Sequence, residues 1–196
     1  MCGRYYIDDG TLEIKKIILE MNKKWDSPGI KMGEICPTNE AIILIAKGGM
    51  MEPVISKWGF PNFKGSGVII NARSETVFEK KLFRDSLVSR RCIIPASGFY
   101  EWNANKEKIY FTPQEETTMY MSGIFNVFNN EIRFVILTTG ANSSISDVHN
   151  RMPLLLSDSQ LEEWLFNDTQ TQKILKQAPY MLNRKCDFIQ QTLDLF

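Results

Sequence analysis

The stretch 117–139, TTMYMSGIFNVFNNEIRFVILTT, contains two runs rich in β-branched and aromatic residues. Such runs are typical of β-strands, and the FNNE step between them suits a tight hairpin turn. The stretch therefore predicts two antiparallel strands joined by a turn, and it directs the fold assignment toward a β-rich class.

Further short β-rich runs precede this hairpin. They are AIILIAKG (41–48), EPVISKWG (52–59), GVIINA (67–72), RRCIIPASGFYEW (90–102) and EKIYFTP (107–113). The last residues, 180–196, are predicted to form one more strand and a tail. So many short strands favour a curled, mainly antiparallel sheet or open barrel over a doubly wound fold.

Three segments have helical features. They are DDGTLEIKKIILEMNKKW (8–25), SETVFEKKLFRDSLV (74–88) and SDSQLEEWLF (157–166). In the first, apolar residues including Ile14, Ile17 and Met21 recur at the spacing of one helical face. The third opens with good capping residues. We therefore predict an α+β fold, a single domain over residues 1–196 in which helices flank the curled sheet.

Composition excludes several classes of function. The formal net charge of +0 gives no bulk attraction to nucleic acid or anionic membranes, so any polyanion site must be a local patch. Four cysteines without a CxxC pair, together with one histidine, predict neither a zinc cluster nor a disulfide framework. We expect no metal and no cofactor. Without a signal peptide or an apolar run of membrane length, we expect a cytoplasmic protein with no membrane partner.

The N-terminal MCGRYY places a cysteine directly behind the initiator methionine. Methionine is routinely removed before a small residue, and removal would leave Cys2 with an α-amine and a thiol on adjacent carbons. Their ordinary pKa values of about 8 and about 8.5 allow neutral amine and some thiolate to coexist near neutral pH. An internal cysteine cannot offer this pair of nucleophiles.

Three polar residues occupy unexpected places among the predicted strands. Asn71 ends the apolar run GVII, Glu101 lies among aromatics in GFYEW, and His149 is the only histidine. Each also has a structural explanation, because asparagine often makes a turn, strand glutamates usually face water, and a lone histidine is often structural. They are nevertheless candidates for a polar site.

Each of three candidate residues is followed two positions later by an arginine: Cys2 by Arg4, Asn71 by Arg73, and His149 by Arg151. In a strand, residues two apart share a face, so each pair could lie side by side. A reactive side chain beside a guanidinium suits a reacting carbon that is flanked by phosphates.

Six motifs in order resemble the SOS response-associated peptidase (SRAP) family: MCGRY, ICPT, WGF, NARSETV, RRCIIPASGFYEW and HNRMP. They run from residue 2 to residue 153. The resemblance implies a mixed α/β domain around a curled antiparallel sheet. It also implies a sensor of abasic sites in single-stranded DNA that bonds to them covalently through its N-terminal cysteine, and a peptidase activity by which Met1 could be self-removed, although an ordinary aminopeptidase could also remove it.

The resemblance also assigns site residues. Cys2 is the nucleophile, Asn71, Glu101 and His149 complete the catalytic site, Arg4, Arg73 and Arg151 lie near the DNA backbone, and Pro37 and Trp58 belong to motifs lining the DNA channel. We expect a monomer. One departure is visible: the family pattern Trp-Gly-Leu-Ile-Pro-x-Trp is WGFPNF here, with Phe63 replacing the second tryptophan and so offering a smaller face for stacking on a base.

The resemblance explains the N-terminal cysteine chemically. The α-amine of Cys2 attacks the aldehyde of an open abasic sugar, and the thiolate then closes a thiazolidine ring, favoured because both nucleophiles share one residue. His149 would assist sugar ring opening, and Glu101 would shuttle protons. Two alternatives stay open: an N-terminal-cysteine amidotransferase or hydrolase, and a non-covalent single-stranded DNA-binding protein using Trp58, Phe63 and the arginines.

Overall fold

Fifteen β-strands and four α-helices are formed by the residues that this computed structural model describes, which are 2–24, 30–115 and 117–186. The strands are β1 (Tyr5–Ile7), β2 (Gly33–Ile35), β3 (Glu40–Lys47), β4 (Met50–Trp58), β5 (Phe60–Pro61), β6 (Val68–Ile69), β7 (Asn71–Arg73), β8 (Arg91–Ala96), β9 (Gly98–Trp102), β10 (Lys108–Pro113), β11 (Met119–Phe128), β12 (Glu131–Gly140), β13 (Arg151–Pro153), β14 (Leu155–Leu156) and β15 (Leu182–Cys186). The helices are α1 (Leu12–Lys24), α2 (Lys81–Ser89), α3 (Leu161–Phe166) and α4 (Asp168–Leu175).

Five of the strands close into a barrel. Strand β12 pairs with β4, β4 with β3, β3 with β8, β8 with β11, and β11 returns to β12. All of these pairs are antiparallel except β12 with β4, where Phe134 lies opposite Trp58. The predicted α+β fold with a curled, mainly antiparallel sheet is confirmed, and the ring is closed where the sequence predicted a sheet or open barrel.

The predicted hairpin is present at β11 and β12. Phe128 pairs with Glu131, and Asn129 and Asn130 between them have φ values of 49° and 62°. Two consecutive left-handed residues match the right-handed twist of the flanking strands, and asparagine tolerates this conformation better than most residues. The two asparagines therefore explain why the chain reverses here.

A second sheet has five strands in the order β15, β10, β9, β1, β2. The run 90–102, predicted as one β-rich stretch, divides between the two sheets: β8 belongs to the barrel and β9 to the second sheet, with Ser97 between them. At the crossing a Cβ on Gly98 would lie 2.4 Å from the carbonyl oxygen of Phe111, so the strands approach too closely for a side chain. The crossing brings the N-terminal strand β1 against both sheets.

The helices depart from prediction in two places. The segment 74–88 is helical only from Lys81, because residues 74–79 form turns that hold the buried Val77 in the core. Helix α4 was not predicted; its N-cap is Asn167, whose side chain accepts a hydrogen bond from the amide of Thr169. Helix α1 is confirmed, although its predicted last residue, Trp25, lies outside the described residues, as does the predicted tail beyond Cys186. In the described part of the chain, no helix has the length and apolar character needed to cross a membrane.

Candidate active site and nucleic-acid groove

Strand pairing holds the N-terminal segment within the second sheet, where β1 lies between β9 and β2. Tyr5 pairs with Phe99, and the amide of Tyr100 donates a 2.9 Å hydrogen bond to the carbonyl of Arg4. Continuing this antiparallel register toward the N-terminus places Gly3 opposite Glu101, so that Cys2 is the next residue beyond this level. Two of the predicted site residues, separated by almost 100 positions in the sequence, are thereby brought together.

Cys2 is completely buried. Its Sγ contacts the carbonyl oxygen of Arg4 at 3.8 Å. Burial raises the pKa of the Cys2 thiol far above its ordinary value, and the nearby negative charge of Glu101 raises that pKa further. The thiol is therefore protonated and sheltered.

Asn71 contacts the N-terminal segment directly. It begins β7, opposite Ile136 of β12, and its Nδ2 donates a 2.9 Å hydrogen bond to the carbonyl oxygen of Cys2. Its buried Oδ1 has no hydrogen-bond partner within the described residues. The side-chain amide of Asn71 thus holds the backbone of residue 2 through Nδ2, while its Oδ1 can accept a hydrogen bond from another donor.

Glu101 points into the protein, contrary to the usual orientation of a strand glutamate. It is 3% exposed, and on β9 it faces the same side as the buried Phe99. A buried carboxylate is costly unless other groups compensate for the lost hydration. Its influence on the pKa of Cys2 shows that it lies close enough to act on that thiol.

His149 is half-buried and is fixed through one ring nitrogen. The amide N–H of Arg151 donates to Nδ1 at 2.9 Å, and the carbonyl oxygen of Arg151 lies 3.2 Å from the same nitrogen. The amide of His149 donates to the carbonyl of Ile145, which belongs to the same core cluster as Cys2. The backbone of Arg151 therefore holds the imidazole on a loop that packs against this core.

Each of three candidate residues is followed two positions later by an arginine, but the three pairs do not share one structural arrangement. Only Asn71 and Arg73 lie in one strand, β7, where they share a face. Arg73 is exposed, and among the described residues no hydrogen bond or ion pair holds its guanidinium. This arginine is placed to meet an anion.

Arg4 and Arg151 are instead engaged by carboxylates. Arg4 Nη1 lies 2.9 Å from Glu34 Oε1, and its guanidinium lies over the ring of Trp102. Arg151 forms a two-bond pair with Glu75. Neither carboxylate was singled out from the sequence, because both pairings join residues from separate segments and have no local pattern.

Trp58 and the turn that contains Pro37 are joined by a backbone hydrogen bond. Trp58 is fully buried, stacks on Phe134 with ring centroids 6.2 Å apart, and donates from Nε1 to the carbonyl of Ile70 at 2.9 Å. Pro37 lies in a turn in which Thr38 has a φ of 71° and donates to the carbonyl of Trp58. The structure therefore places Trp58 in the core, where it offers no face to DNA, and this corrects its expected position along the DNA channel.

An open groove of about 840 Å³ begins at Asn71. Its lining includes Phe63, Lys64, Asn71, Arg73, Lys80 and Lys81. Phe63 is 75% exposed and packs against Phe128 with ring centroids 6.1 Å apart. The groove therefore combines an exposed aromatic face with four cationic side chains, although the chain has no net charge. The three lysines were missed because they belong to no recognised motif.

Within the described residues, no group of three or more histidine, cysteine, aspartate or glutamate side chains is arranged to hold a metal ion. The polar groups next to Cys2 are instead the amide of Asn71 and the carboxylate of Glu101, and the His149 imidazole lies on a loop packed against the same hydrophobic core. Such groups orient and protonate a substrate, so the arrangement suits nucleophilic chemistry assisted by proton transfer.

Comparison with known proteins agrees with the motif pattern. The family model described as SOS response associated peptidase (SRAP) matches residues 1–189. The abasic site processing protein YoqW of Bacillus subtilis is 31% identical over 185 residues, covering 84% of this chain and 80% of the relative. The abasic site processing protein YedK of Escherichia coli is 25% identical over 178 residues, covering 84% and 79%.

A solved structure shares the fold. A protein from Bordetella bronchiseptica superposes with a TM-score of 0.76 at 21% identity, covering 94% of this chain and 99% of that one. Because the family model matches nearly the whole chain, the protein belongs to the SOS response associated peptidase (SRAP) family.

Proposed function

We propose that this protein processes abasic sites in single-stranded DNA by forming a covalent crosslink through Cys2 after Met1 has been removed. The observation that carries the proposal is the 2.9 Å hydrogen bond from Asn71 to the carbonyl of Cys2, beside the buried carboxylate of Glu101. It holds residue 2 where an α-amine, a thiol and proton-transfer groups would meet. Curated relatives named as abasic site processing proteins support the same substrate.

The chemistry requires both nucleophiles of an N-terminal cysteine. The neutral α-amine of Cys2 adds to the aldehyde carbon of the open sugar, and loss of one water gives an imine. The thiolate then adds to the same carbon, the imine nitrogen takes a proton, and a five-membered thiazolidine ring results. The net reaction joins protein and DNA with release of one water, and no oxidant or metal takes part.

Removal of Met1 would activate the thiol. Burial and the charge of Glu101 raise the pKa of Cys2, while the positive N-terminus already lowers it from one residue away. After Met1 is removed, the protonated imine that forms on the nitrogen of residue 2 brings a positive charge closer to the sulfur and lowers the thiol pKa more strongly. Processing thus converts a protonated thiol into a usable nucleophile.

The surrounding side chains divide the proton transfers. His149 donates a proton to the sugar oxygen as the ring opens. Glu101 accepts and returns protons during imine formation and ring closure, which is possible because the register of β1 with β9 places it opposite Gly3, next to residue 2. Asn71 orients the N-terminal backbone through its bond to the Cys2 carbonyl.

The groove that begins at Asn71 holds the DNA strand. Arg73 and the lysines contact phosphates, and Phe63 stacks on a base beside the abasic site. The same groove favours a second candidate, a protein that binds single strands without covalent chemistry. The two candidates differ in whether a stable bond forms with an abasic strand.

Intact mass spectrometry separates them in one experiment. The purified protein is measured alone and after mixing with matched oligonucleotides, one abasic and one undamaged. We expect loss of Met1, and an adduct equal to protein plus abasic strand minus one water. Cys186→Ser, which removes an exposed thiol outside the site, is the control and should leave the yield unchanged. Equal covalent yield with both strands, or none with either, would refute the proposal.

A further inference from the structure

Arg151 and Glu75 form a bidentate ion pair beside the candidate site. Arg151 Nη1 donates to Glu75 Oε1 at 2.6 Å, and Nη2 donates to Oε2 at 2.9 Å. Two parallel bonds from one guanidinium to two oxygens are also the geometry in which arginine binds a phosphate. The carboxylate therefore occupies the edge of Arg151 that a DNA phosphate would use.

The two partners of this pair are held differently. Arg151 is 15% exposed and is anchored from behind, because Nη2 also donates to the backbone carbonyl and the hydroxyl of Thr138 on β12. The side chain of Glu75 is 49% exposed and lies on the solvent side of the pair. If the carboxylate moved away, the guanidinium would stay in place with its outer edge open.

A second cation and an adjacent space favour such a movement. Arg151 and Arg73 together lower the pKa of Glu75, so the carboxylate lies within the field of both arginines. Glu75 also borders a cavity of about 500 Å³, whose walls include Ser74 and Lys176. A displaced carboxylate would therefore find room and a positive charge on its other side.

We propose that Glu75 is a displaceable counter-ion, which occupies the position at Arg151 where a DNA phosphate would bind. By doing so, Glu75 makes the protein selective against undamaged strands. The inference rests on the proposed function, because it takes the DNA backbone as the incoming anion. Any strand must expel Glu75 to reach Arg151. An undamaged strand gains only the phosphate contact in return, whereas an abasic strand also forms the bond to Cys2.

The test is binding of an undamaged single strand to Glu75→Gln across a salt titration. Glutamine keeps the size of the side chain but removes the charge, so one more cation becomes available to the DNA. The salt slope should steepen by about 0.7, which corresponds to about fivefold tighter binding at 0.1 M salt. Glu52→Gln is the matched control: Glu52 is also paired with cations, Lys24 and Lys47, but lies on the β3–β4 hairpin outside the groove lining. It should leave affinity unchanged.

A double variant shows whether the gain depends on Arg151. In Glu75→Gln/Arg151→Gln the affinity gain should disappear, because the freed guanidinium is gone. Unchanged or weaker binding by Glu75→Gln, with wild-type thermal stability, would overturn the proposal and make Glu75 a positioning residue for Arg151. The same outcome follows if the gain persists in the double variant. Adduct formation with an abasic strand is measured separately. The proposed role of Glu75 can therefore fail while the proposed function holds, and the proposed function can fail while the role of Glu75 holds.

Discussion

The buried site formed by Cys2 and Glu101, called the pocket below, and the groove that begins at Asn71 differ in burial and in the strength of their electrostatic interactions. In the pocket, Cys2 is fully buried and Glu101 is 3% exposed, whereas in the groove Phe63 is 75% exposed. Burial deprives the Cys2 thiolate of water, which is the main reason why the pKa of Cys2 rises, and the charge of Glu101 raises that pKa further. In the groove, water and salt screen each charge, so the same side-chain types act weakly and additively.

Because of this difference, separate groups of residues control the rate of the covalent reaction and the affinity for DNA. Groups in the pocket can change the rate of covalent bond formation with little effect on how tightly a strand is held. Groups in the groove can change affinity without altering the reaction once DNA is bound. Asn71 joins the two regions, because it bonds to the Cys2 carbonyl and also lines the groove.

The largest effect is expected for Glu101→Gln. The substitution keeps the buried shape but removes the proton-accepting carboxylate, and general acid–base groups contribute a factor of about 100 or more. Single-turnover adduct formation with saturating abasic strand should slow by about that factor, while affinity for an undamaged strand stays unchanged. The exposed Glu13→Gln on α1 serves as the control. A wild-type rate in Glu101→Gln would show that the buried carboxylate is structural.

An intermediate effect is expected for Phe63→Ala. Stacking of one base on an aromatic ring contributes about 1–3 kcal/mol, so binding of an undamaged strand should weaken about tenfold. The adduct rate at saturating DNA should not change. Phe166→Ala, which removes another exposed aromatic ring from α3, should have no effect on either quantity. A slower saturated rate in Phe63→Ala would erase the distinction between groove and pocket.

The smallest effect is expected for Arg73→Gln. Loss of one phosphate contact should make the salt slope shallower by about 0.7 and weaken binding about fivefold at 0.1 M salt. Fluorescence anisotropy across a salt series measures both quantities. Arg184→Gln, in which an arginine paired with Asp147 is removed from β15, is the control. Wild-type affinity and a wild-type salt slope in Arg73→Gln would show that the groove does not bind the DNA backbone.

Local patterns predicted much of the fold. The two asparagines at 129 and 130 identified the hairpin, because a tight turn imposes conformations that few residues tolerate. The sequence did not reveal that the run 90–102 crosses between sheets, since both halves have the same β-rich composition. Crossing depends on close contact at Gly98 with Phe111 of a different strand. Helix α4 was missed because it is short and only weakly periodic.

The sequence drew attention to individual residues of the candidate site but not to their pairings. Glu101 attracted notice as an acidic residue among aromatics, and the structure shows it buried. The pairing of Arg4 with Glu34 and of Arg151 with Glu75 joins residues far apart in the chain, and no local periodicity encodes such contacts. Trp58 was expected along the DNA channel because its motif suggested it. Its burial between Tyr5 and Phe134 depends on the closed barrel.

The amine and the thiol of residue 2 can be tested separately, because each is required for a different step of the proposed reaction. In Cys2→Ser with Met1 removed, the amine remains but the hydroxyl hardly ionises near neutral pH. The stable crosslink to an abasic strand should vanish, while borohydride should still trap protein on DNA by reducing the imine. In wild-type protein with one residue left ahead of Cys2, the thiol remains but the α-amine of Cys2 is an amide, so both products should be lost. A stable crosslink from this blocked protein would show that the thiol alone suffices, and the thiazolidine mechanism would be wrong.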